Sequence, residues 1–211
     1  MTGVNFMFKK VKKQSGFTLI EVVVALGIFS IATTYAIGIF VQSNQVQRRT
    51  ANVQRVLSDA RYVLEVMARE VRMGEIDYDY SGYATTGGEL DLEQSVLALR
   101  DVDSQPIRFR RQLITGLPDR YVVQVCSEKE VCLTDDWLDI TPEDLSIERL
   151  VFYISPPKDP FTWNDSLVDY NYDSQPMVTI VMQSQSLYQE ADLTERTADL
   201  QTTVTTRKYV R

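Results

Sequence analysis

Histidine is absent from this chain of 211 residues, and cysteine and proline are scarce. Without histidine the chain cannot form a Ser/His or Cys/His catalytic pair, a histidine-ligated metal site or the usual acid–base group that titrates near neutral pH. The two cysteines, Cys126 and Cys132, are too few for a four-ligand zinc site. The composition therefore argues against an enzyme.

Acidic residues are missing from the first twenty positions, although the rest of the chain is acidic. Residues 1–16 carry four lysines and no acid, whereas residues 72–211 carry 13 basic and 25 acidic residues, a balance of 13 − 25 = −12. A surface with this charge repels the phosphates of nucleic acids. We therefore expect no nucleic-acid partner.

A long uncharged run follows the lysines. The twenty residues from Val22 to Val41 carry no charge. As a helix they span about 30 Å, the thickness of the hydrocarbon core of a bilayer. A cleavable secretory signal has a shorter apolar core followed by a small-residue cleavage site, and a core helix of a soluble protein is seldom apolar all round. The run is therefore predicted to anchor the chain in a membrane, with the lysines at 9–13 on the cytoplasmic side.

Glu21 lies at the beginning of this apolar run, where a carboxylate is costly to bury. No basic residue follows it within two helical turns, and the nearest one upstream is Lys13. From the residues alone two interpretations stay open. Either the carboxylate has a function, or it is protonated or reaches to the membrane interface without one.

The sequence KKQSG followed by FTLIEVVVALGIF closely resembles the class III signal peptide of type IV pilins and type II secretion pseudopilins. The resemblance implies that a prepilin peptidase cuts between Gly16 and Phe17 and methylates the new amine of Phe17. It also implies that Glu21 pairs with the N-terminal amine of a neighbouring subunit in a filament, where a low dielectric strengthens the attraction. The motif covers about 40 of the 211 residues.

Two further features of this segment bear on the subfamily. No proline occurs before Pro106, whereas major pilins and the major pseudopilin usually carry one just beyond the middle of the apolar segment. Together with the sequence ALGIF at residues 25–29, this resembles a minor pseudopilin of the J type. The family further implies three kinds of partner besides the peptidase: other pilin or pseudopilin subunits, an inner-membrane assembly platform with its ATPase, and membrane lipid.

The spacing of apolar residues extends the helix beyond the membrane segment. From residue 42 to residue 73 they recur every three or four positions, from Val46 to Val71, which predicts one buried helix face, and Gly74 is suited to end the helix. After Gly74 the period changes to two, which is typical of strands. Six strands are predicted: Ser95–Arg100, Ile107–Gln112, Arg120–Cys126, Ser146–Ile154, Met177–Gln183 and Thr202–Val210.

These elements predict an α+β protein with a pilin-like fold, in which a long N-terminal helix packs on a mainly antiparallel sheet. The first half of that helix is transmembrane. Four segments are expected in chain order: a cleavable leader, a transmembrane helix that forms a filament core, an amphipathic helix that continues into the globular domain, and an extracytoplasmic β-rich domain. They correspond to residues 1–16, 17–41, 42–74 and 75–211.

Cys126 and Cys132 flank the sequence SEKEV at the tip of a predicted hairpin. In an exported domain these cysteines are expected to form a small disulfide loop, and two free thiols are the alternative.

No cofactor is expected, with calcium as the one candidate. Ca²⁺ binds six to eight oxygen ligands, and aspartates crowd two predicted loops. Neither run has the spacing of an EF-hand, so solvated acidic loops are the preferred interpretation. The aspartates are Asp135, Asp136 and Asp139 in one loop, and Asp159, Asp165, Asp169 and Asp173 in the other.

Two further patterns have a structural and a functional interpretation. Tyr78, Tyr80 and Tyr83 form either a contact patch or part of a half-buried sheet. The sequence Asn164-Asp165-Ser166 matches a glycosylation sequon.

The sequence thus predicts a non-enzymatic structural subunit, a minor pseudopilin or pilin-like protein of a type II secretion or type IV pilus filament. It is expected in the inner membrane with its globular domain outside the cytoplasm. The alternative is a membrane-tethered receptor that binds a ligand or secreted substrate through loops 75–88 and 155–176. A membrane-anchored hydrolase with paired carboxylates ranks third. The order Gly16, Phe17, Glu21 favours the filament subunit, because an ordinary membrane anchor has no need of it.

Overall fold

The structure is a computed structural model that describes residues 16–116, 119–164, 169–170, 174–187 and 197–206. One long helix, α1, spans Leu19–Met73. Within the described residues twelve strands follow, which we number in chain order. They are β1 Glu75–Ile76, β2 Thr85–Thr86, β3 Glu89–Leu90, β4 Val96–Arg100, β5 Pro106–Ile114, β6 Arg120–Ser127, β7 Leu138–Asp139, β8 Leu145–Ser155, β9 Trp163–Asn164, β10 Asp169–Tyr170, β11 Met177–Ser186 and β12 Thr197–Thr205.

The chain divides into two compact units within α1, one up to Arg48 and the other from Arg49 onward. In the second unit α1 buries one face, whose residues recur every three or four positions along the helix. The predicted buried face is confirmed from Val56 onward, whereas Val46 is exposed. The buried residues of α1 are Val56, Ala60, Val63, Leu64, Met67, Ala68 and Val71.

The strands form two main antiparallel sheets and two short hairpins. The larger sheet has the order β1-β4-β5-β6-β7, and the smaller has the order β12-β11-β8. The hairpins pair β2 with β3 and β9 with β10. One long N-terminal helix with mainly antiparallel sheets is an α+β arrangement consistent with the pilin-like fold, and this prediction is confirmed.

Alternation along the strands builds the core against α1. In β11, the central strand of the smaller sheet, Val178, Ile180 and Met182 are fully buried on one face while their neighbours are partly exposed. The two sheets are linked by an isolated bridge, in which the amides of Gln94 and Phe152 each donate to the other's carbonyl at 2.9 Å. Residues of α1 and of both sheets share one apolar cluster.

The last strand differs from its predicted limits. We predicted Thr202–Val210, but β12 spans Thr197–Thr205, and residues 207–211 lie outside the described part of the chain. β12 pairs with β11 over its whole length, from Thr197 opposite Gln185 to Thr205 opposite Met177. The neighbouring strand therefore sets the limits of β12, because strand propensity depends on the partner as much as on the residue.

Gly74 ends α1 as predicted, but for a different reason. Its amide donates to the carbonyl of Glu70 at 2.8 Å, and the chain then turns directly into β1. A Cβ at Gly74 would lie 2.6 Å from the carbonyl oxygen of Arg100, at the end of β4. The close approach of this strand, rather than a left-handed turn, is what requires glycine here.

The buried face of α1 leads to a stability prediction. Met67 is 0% exposed and Met73, on the same helix, is 44% exposed. We expect Met67→Ala to lower the free energy of unfolding by about 2–5 kcal/mol, because it removes buried apolar contacts and leaves a cavity. The matched change Met73→Ala should cost less than about 0.5 kcal/mol. Denaturant unfolding of residues 49–211 measures both values, and equal midpoints for the two variants would contradict this account of the core.

Candidate functional site

The residues predicted to carry function lie at the start of α1. Gly16, Phe17 and Thr18 precede the first helical residue, and Phe17 is 82% exposed. Apart from its chain neighbours, no atom of the described residues lies within 4 Å of the place that a Cβ on Gly16 would take. The peptide bond between Gly16 and Phe17 is therefore accessible within the described chain. Residues 1–15 of the predicted leader lie outside the described residues.

Thr18 caps the helix, a role that our sequence analysis did not assign. The amide of Glu21 donates to the carbonyl of Thr18 at 3.1 Å and to its Oγ1 at 3.4 Å. The sequence Thr-Leu-Ile-Glu fits the capping-box pattern, with threonine at the N-cap and glutamate three residues later, so the signal was available in the sequence. Glu21 thus lies in the first turn of α1, where the helix dipole favours a negative charge.

The apolar side chains that follow Glu21 are exposed around the whole helix. None of the most apolar part of α1 is buried within the described protein, and its length and composition are sufficient to cross a membrane. In water such a surface would be costly, at roughly 25 cal/mol for each Å² of apolar area. In lipid the same surface is compatible with its surroundings.

The hydroxyl groups in this part of α1 bond to the helix itself. Ser30 and Thr33 donate to the carbonyls four residues earlier, at 2.8 Å in both cases, and Thr34 donates to the carbonyl of Ser30 at 2.9 Å. Because each hydroxyl has an acceptor within the helix, no water is needed to satisfy it. These three hydroxyl groups therefore do not oppose burial in lipid.

Cys126 and Cys132 form a disulfide bond in the structure, with an Sγ–Sγ distance of 2.10 Å and Cα atoms 6.3 Å apart. Cys126 lies in β6, and Cys132 lies in the segment that leads to β7. The side chain of Arg108 donates to the carbonyl of Lys129 at 3.1 Å within the loop that the disulfide closes. The bond therefore closes a short loop whose backbone is also held by β5.

Two of the described aspartates, one in each acidic loop, hold their own loops together. Asp136 accepts from the amide of Leu133 at 2.8 Å and pairs with Lys129, and Asp159 accepts from the amide of Phe161 at 2.9 Å. No group of three acidic, histidine or cysteine side chains that could hold a metal ion occurs among the residues that the structure describes. A calcium site stays a prediction, since Asp165 and Asp173 lie outside those residues, and of Asp169 only the backbone is described.

The three tyrosines are part of the fold rather than a free contact patch. The hydroxyl of Tyr83 donates to the carbonyl of Ala98 at 3.0 Å and accepts from its amide at 2.8 Å. Tyr78 donates to the carbonyl of Pro156 at 3.1 Å, and the ring of Tyr80 meets that of Tyr83 edge-on, with centroids 5.3 Å apart. They lie in the turns between β1 and β2, outside the strands, and it is these contacts that give them a structural role.

The two loops assigned to the receptor alternative meet at one end. Besides the bond from Tyr78, the amide of Leu90 donates to the carbonyl of Pro157 at 2.9 Å, and Lys158 pairs with Glu89 at 3.0 Å. These contacts join the region of β2 and β3 to the start of the 155–176 loop. Residues 165–168 and 171–173 of that loop, with part of the sequon, lie outside the described residues.

Comparison with known proteins bears on the start of the chain. Residues 11–37 match the family described as the prokaryotic N-terminal methylation motif. A search of curated proteins and a search of solved structures each gave no match. The matched stretch contains Gly16, Phe17 and Glu21 and ends within the apolar part of α1.

This match supports a class III signal of the type IV pilin kind and, in general, a subunit of the pilin or pseudopilin type. Such a motif implies processing by a prepilin peptidase and assembly with other pilin-type subunits. Together with the apolar helix, it supports a membrane-anchored protein.

The environment of Tyr83 leads to a prediction about pH. Burial raises the pKa of the Tyr83 hydroxyl, so the folded chain keeps this proton at a pH where the unfolded chain has lost it. The folded state then binds more protons, and the free energy of unfolding should fall as the pH rises above about 10. Tyr83→Phe should cost about 1–3 kcal/mol at neutral pH, because the buried amide of Ala98 loses its acceptor, and it should flatten this fall.

Denaturant unfolding between about pH 7 and pH 11 measures both effects. Tyr62→Phe is the matched control, because Tyr62 is 59% exposed on α1. If the free energy of unfolding fell equally steeply with pH in the wild type and in Tyr83→Phe, Tyr83 would not contribute to that fall.

Proposed function

We propose that this protein is a structural subunit of a type IV pilus or type II secretion filament, held in the inner membrane before assembly. The observation that carries the proposal is the methylation motif at residues 11–37, which runs into a helix whose apolar residues are exposed on every side. A helix of this kind needs lipid or other apolar helices around it. Subunits that pass from a membrane into a helical filament meet both environments in turn.

In this proposal the leader, residues 1–16, is cut off by the prepilin peptidase, and Phe17 becomes the methylated N-terminus. The lysines at 9–13 stay in the cytoplasm, and the unit from Arg49 onward lies outside it. Accessibility of the bond between Gly16 and Phe17 supports this order of events, because the peptidase must reach the backbone there.

Glu21 is proposed to pair with the N-terminal amine of the neighbouring subunit. The helix dipole at the first turn of α1 favours a negative charge at this position. An ammonium group from another chain would then offset its remaining cost of burial. Such a bond adds little to the stability of one chain but fixes the axial position of one subunit against the next.

The finer assignment is a minor pseudopilin of the J type, supported by the absence of proline before Pro106 and the sequence ALGIF. In this proposal the chain does no chemistry, and an assembly platform with its ATPase drives the filament. The receptor alternative stays a prediction. The contacts at Tyr78, Leu90 and Lys158 already give the two loops a structural role.

The proposal predicts a specific N-terminus. Intact-mass analysis of chain extracted from membranes of its host should give a protein that begins at N-methyl-Phe17. Gly16→Val should leave the leader attached, because a branched side chain would block the backbone at the cleavage site. Gly27→Val is the matched control, since beyond the adjacent helix backbone no atom of the described residues lies within 4 Å of a Cβ there, and the leader should still be removed. Residues 1–16 retained in wild-type filaments would refute the proposal.

A second prediction concerns Glu21. Glu21→Gln and Glu21→Val should leave membrane insertion and cleavage intact, because the helix stays apolar; Glu21→Val should favour insertion by up to about 3 kcal/mol. Both should reduce incorporation into filaments several-fold, since the partner amine loses its counter-charge. Co-purification with sibling subunits measures incorporation, and Glu65→Gln, on the exposed outer part of α1, is the control. If both Glu21 variants assembled normally, the carboxylate would have no role in assembly, and this part of the proposal would be wrong.

A further inference from the structure

The strand β12 forms one end of the smaller sheet. It pairs with β11 along one edge, and among the described residues no strand pairs with its other edge. The remaining ends of the two sheets are different. β1 and β7, the outer strands of the larger sheet, have only two residues each, and β8 meets the larger sheet through Phe152 and Ile147. With nine residues, β12 therefore has the one long open edge in the described part of the chain.

The pairing with β11 identifies the backbone groups that β12 turns outward. The amide of Thr206, just after the strand, donates to the carbonyl of Pro176 at 3.1 Å, so the backbone of Thr206 faces β11. In an antiparallel pair, successive residues alternate between bonding to the partner strand and pointing away from it. The even-numbered residues from Ala198 to Val204 therefore bond to β11. The outward amides and carbonyls belong to Thr197, Asp199, Gln201, Thr203 and Thr205.

The sequence of β12 does not discourage a further strand. Exposed sheet edges usually carry lysine, proline or a bulge that prevents pairing with other chains. β12 contains no lysine, arginine or proline, and its pairing with β11 has no register shift. Its one charged residue, Asp199, accepts from the side chain of Gln183 at 2.9 Å, within the sheet. Five of its nine residues are threonine or valine, which favour strands, so this edge is suited to receive another strand.

The inner face of the smaller sheet is incompletely covered at β12. In β11, Met182 and Ser184 are 0% exposed, whereas their neighbours in β12, Leu200 and Ala198, are only partly buried against the apolar cluster. Cross-strand neighbours on one face lie about 5 Å apart, so a strand added beside β12 would cover both side chains. Burial of apolar area would then add to the backbone hydrogen bonds of the added strand.

Charge and symmetry indicate which kind of chain supplies the strand. Residues 72–211 carry 13 basic and 25 acidic residues, a balance of 13 − 25 = −12, so two copies of this region repel each other. Antiparallel pairing of β12 with β12 of a second copy would also give a closed two-fold dimer, which does not continue into a filament. An uncharged or basic strand from a different subunit meets neither obstacle.

We propose that β12 receives an extended segment of a different, sibling pilin-type subunit as an additional strand of the smaller sheet. The segment is uncharged or basic, and alternate positions carry apolar side chains that pack beside Leu200. The inference rests on the proposed function, because it needs a sibling subunit next to this one in the membrane or filament. It gives the second unit a contact of its own, separate from the pairing of Glu21.

Photo-crosslinking in host membranes that hold the full chain tests this contact. In Thr203→p-benzoylphenylalanine, a benzophenone replaces an exposed side chain of β12 and reacts on illumination with a chain beside it. Mass spectrometry of the product should identify a different protein that carries its own N-terminal methylation motif. The same probe at Val102, which is 68% exposed in the turn between β4 and β5, is the matched control and should give no such product.

Proline substitution tests whether the backbone of β12 makes the contact. Gln201→Pro removes an amide that points outward and leaves the bonds to β11 in place, a position at which edge strands accept proline. It should lower the yield of the crosslink from position 203 by about tenfold, because the added strand loses a hydrogen bond and part of its flat edge. Gln201→Thr changes the side chain but keeps the amide, so as the matched control it should leave the yield unchanged.

A second variant blocks the contact without removing a backbone group. Thr202 lies on the same face of β12 as the buried Val204, and it is only partly buried. In Thr202→Lys the ammonium group can reach water while the edge is open, but an added strand would bury it. The yield of the crosslink should again fall by about tenfold. Limited proteolysis of the full chain must give the wild-type fragment pattern, and if Gln201→Pro changes that pattern, Thr202→Lys decides.

Several outcomes would overturn the proposal. They are crosslinks from position 203 only to a second copy, only to residues 188–196 or 207–211 of the same chain, only to a protein without a methylation motif, or to no protein at all. An equal product from the probe at Val102, or an unchanged yield in a folded Gln201→Pro or Thr202→Lys variant, would do the same.

The mass of the N-terminus, measured on the same membranes, separates this inference from the proposed function. A chain that begins at N-methyl-Phe17 but gives no product with a sibling subunit refutes the added strand alone. A chain that keeps residues 1–16 in filaments refutes the proposed function, whatever the probe shows.

Discussion

The buried stripe of α1 between Val56 and Val71 packs into the same apolar cluster as residues from both sheets, and the second unit depends on that packing. The two sheets also meet directly: besides the bridge between Gln94 and Phe152, the side chain of Arg111 in β5 donates to the carbonyl of Ile147 in β8 at 2.9 Å. Removing apolar area from water is the main favourable term in folding, and here the helix and both sheets bury apolar side chains in one cluster.

α1 changes its surroundings along its length. Before Val41 its apolar residues surround the helix, whereas from Val56 to Val71 its buried residues lie on one face. The first pattern suits lipid or a bundle of like helices, whereas the second suits a sheet on one side and water on the other. One continuous helix can therefore belong to a membrane or filament at one end and to a folded domain at the other.

Polar groups in the second unit are arranged so that the sheets stay ordered at their edges. Thr141 accepts from the amide of Val123 at 2.9 Å and Ser146 from the amide of Tyr121 at 3.1 Å, so side chains satisfy the part of β6 that β7 does not reach. At the other end of the larger sheet, the hydroxyl of Tyr83 does the same for Ala98. Backbone groups left without a partner would be costly and would invite pairing with other chains.

The sequence by itself determined the features that depend on local pattern. Spacing and composition gave the apolar run, the lysines before it, the order Gly16, Phe17, Glu21 and the buried face of α1. They also gave the positions of five of the six predicted strands, within a few residues at each end. Each of these features depends on residues that lie within a few positions, or a few helical turns, of one another. Such features can be recognised in a sequence because the helix period, the strand period and the thickness of a membrane are fixed. The capping sequence at Thr18 belongs to this group as well.

Tertiary structure decided what depends on residues far apart in the chain. The carbonyl of Arg100 lies so close to Gly74 that only glycine fits there. Pairing with β11 moved the start of the last strand to Thr197, and the hydroxyl of Tyr83 is buried against the backbone of Ala98. Tertiary structure also tied the loop closed by Cys126 and Cys132 to β5 and left Leu133 exposed. No local pattern encodes these outcomes, because each one is a contact between two segments whose positions are fixed only when the whole core has formed.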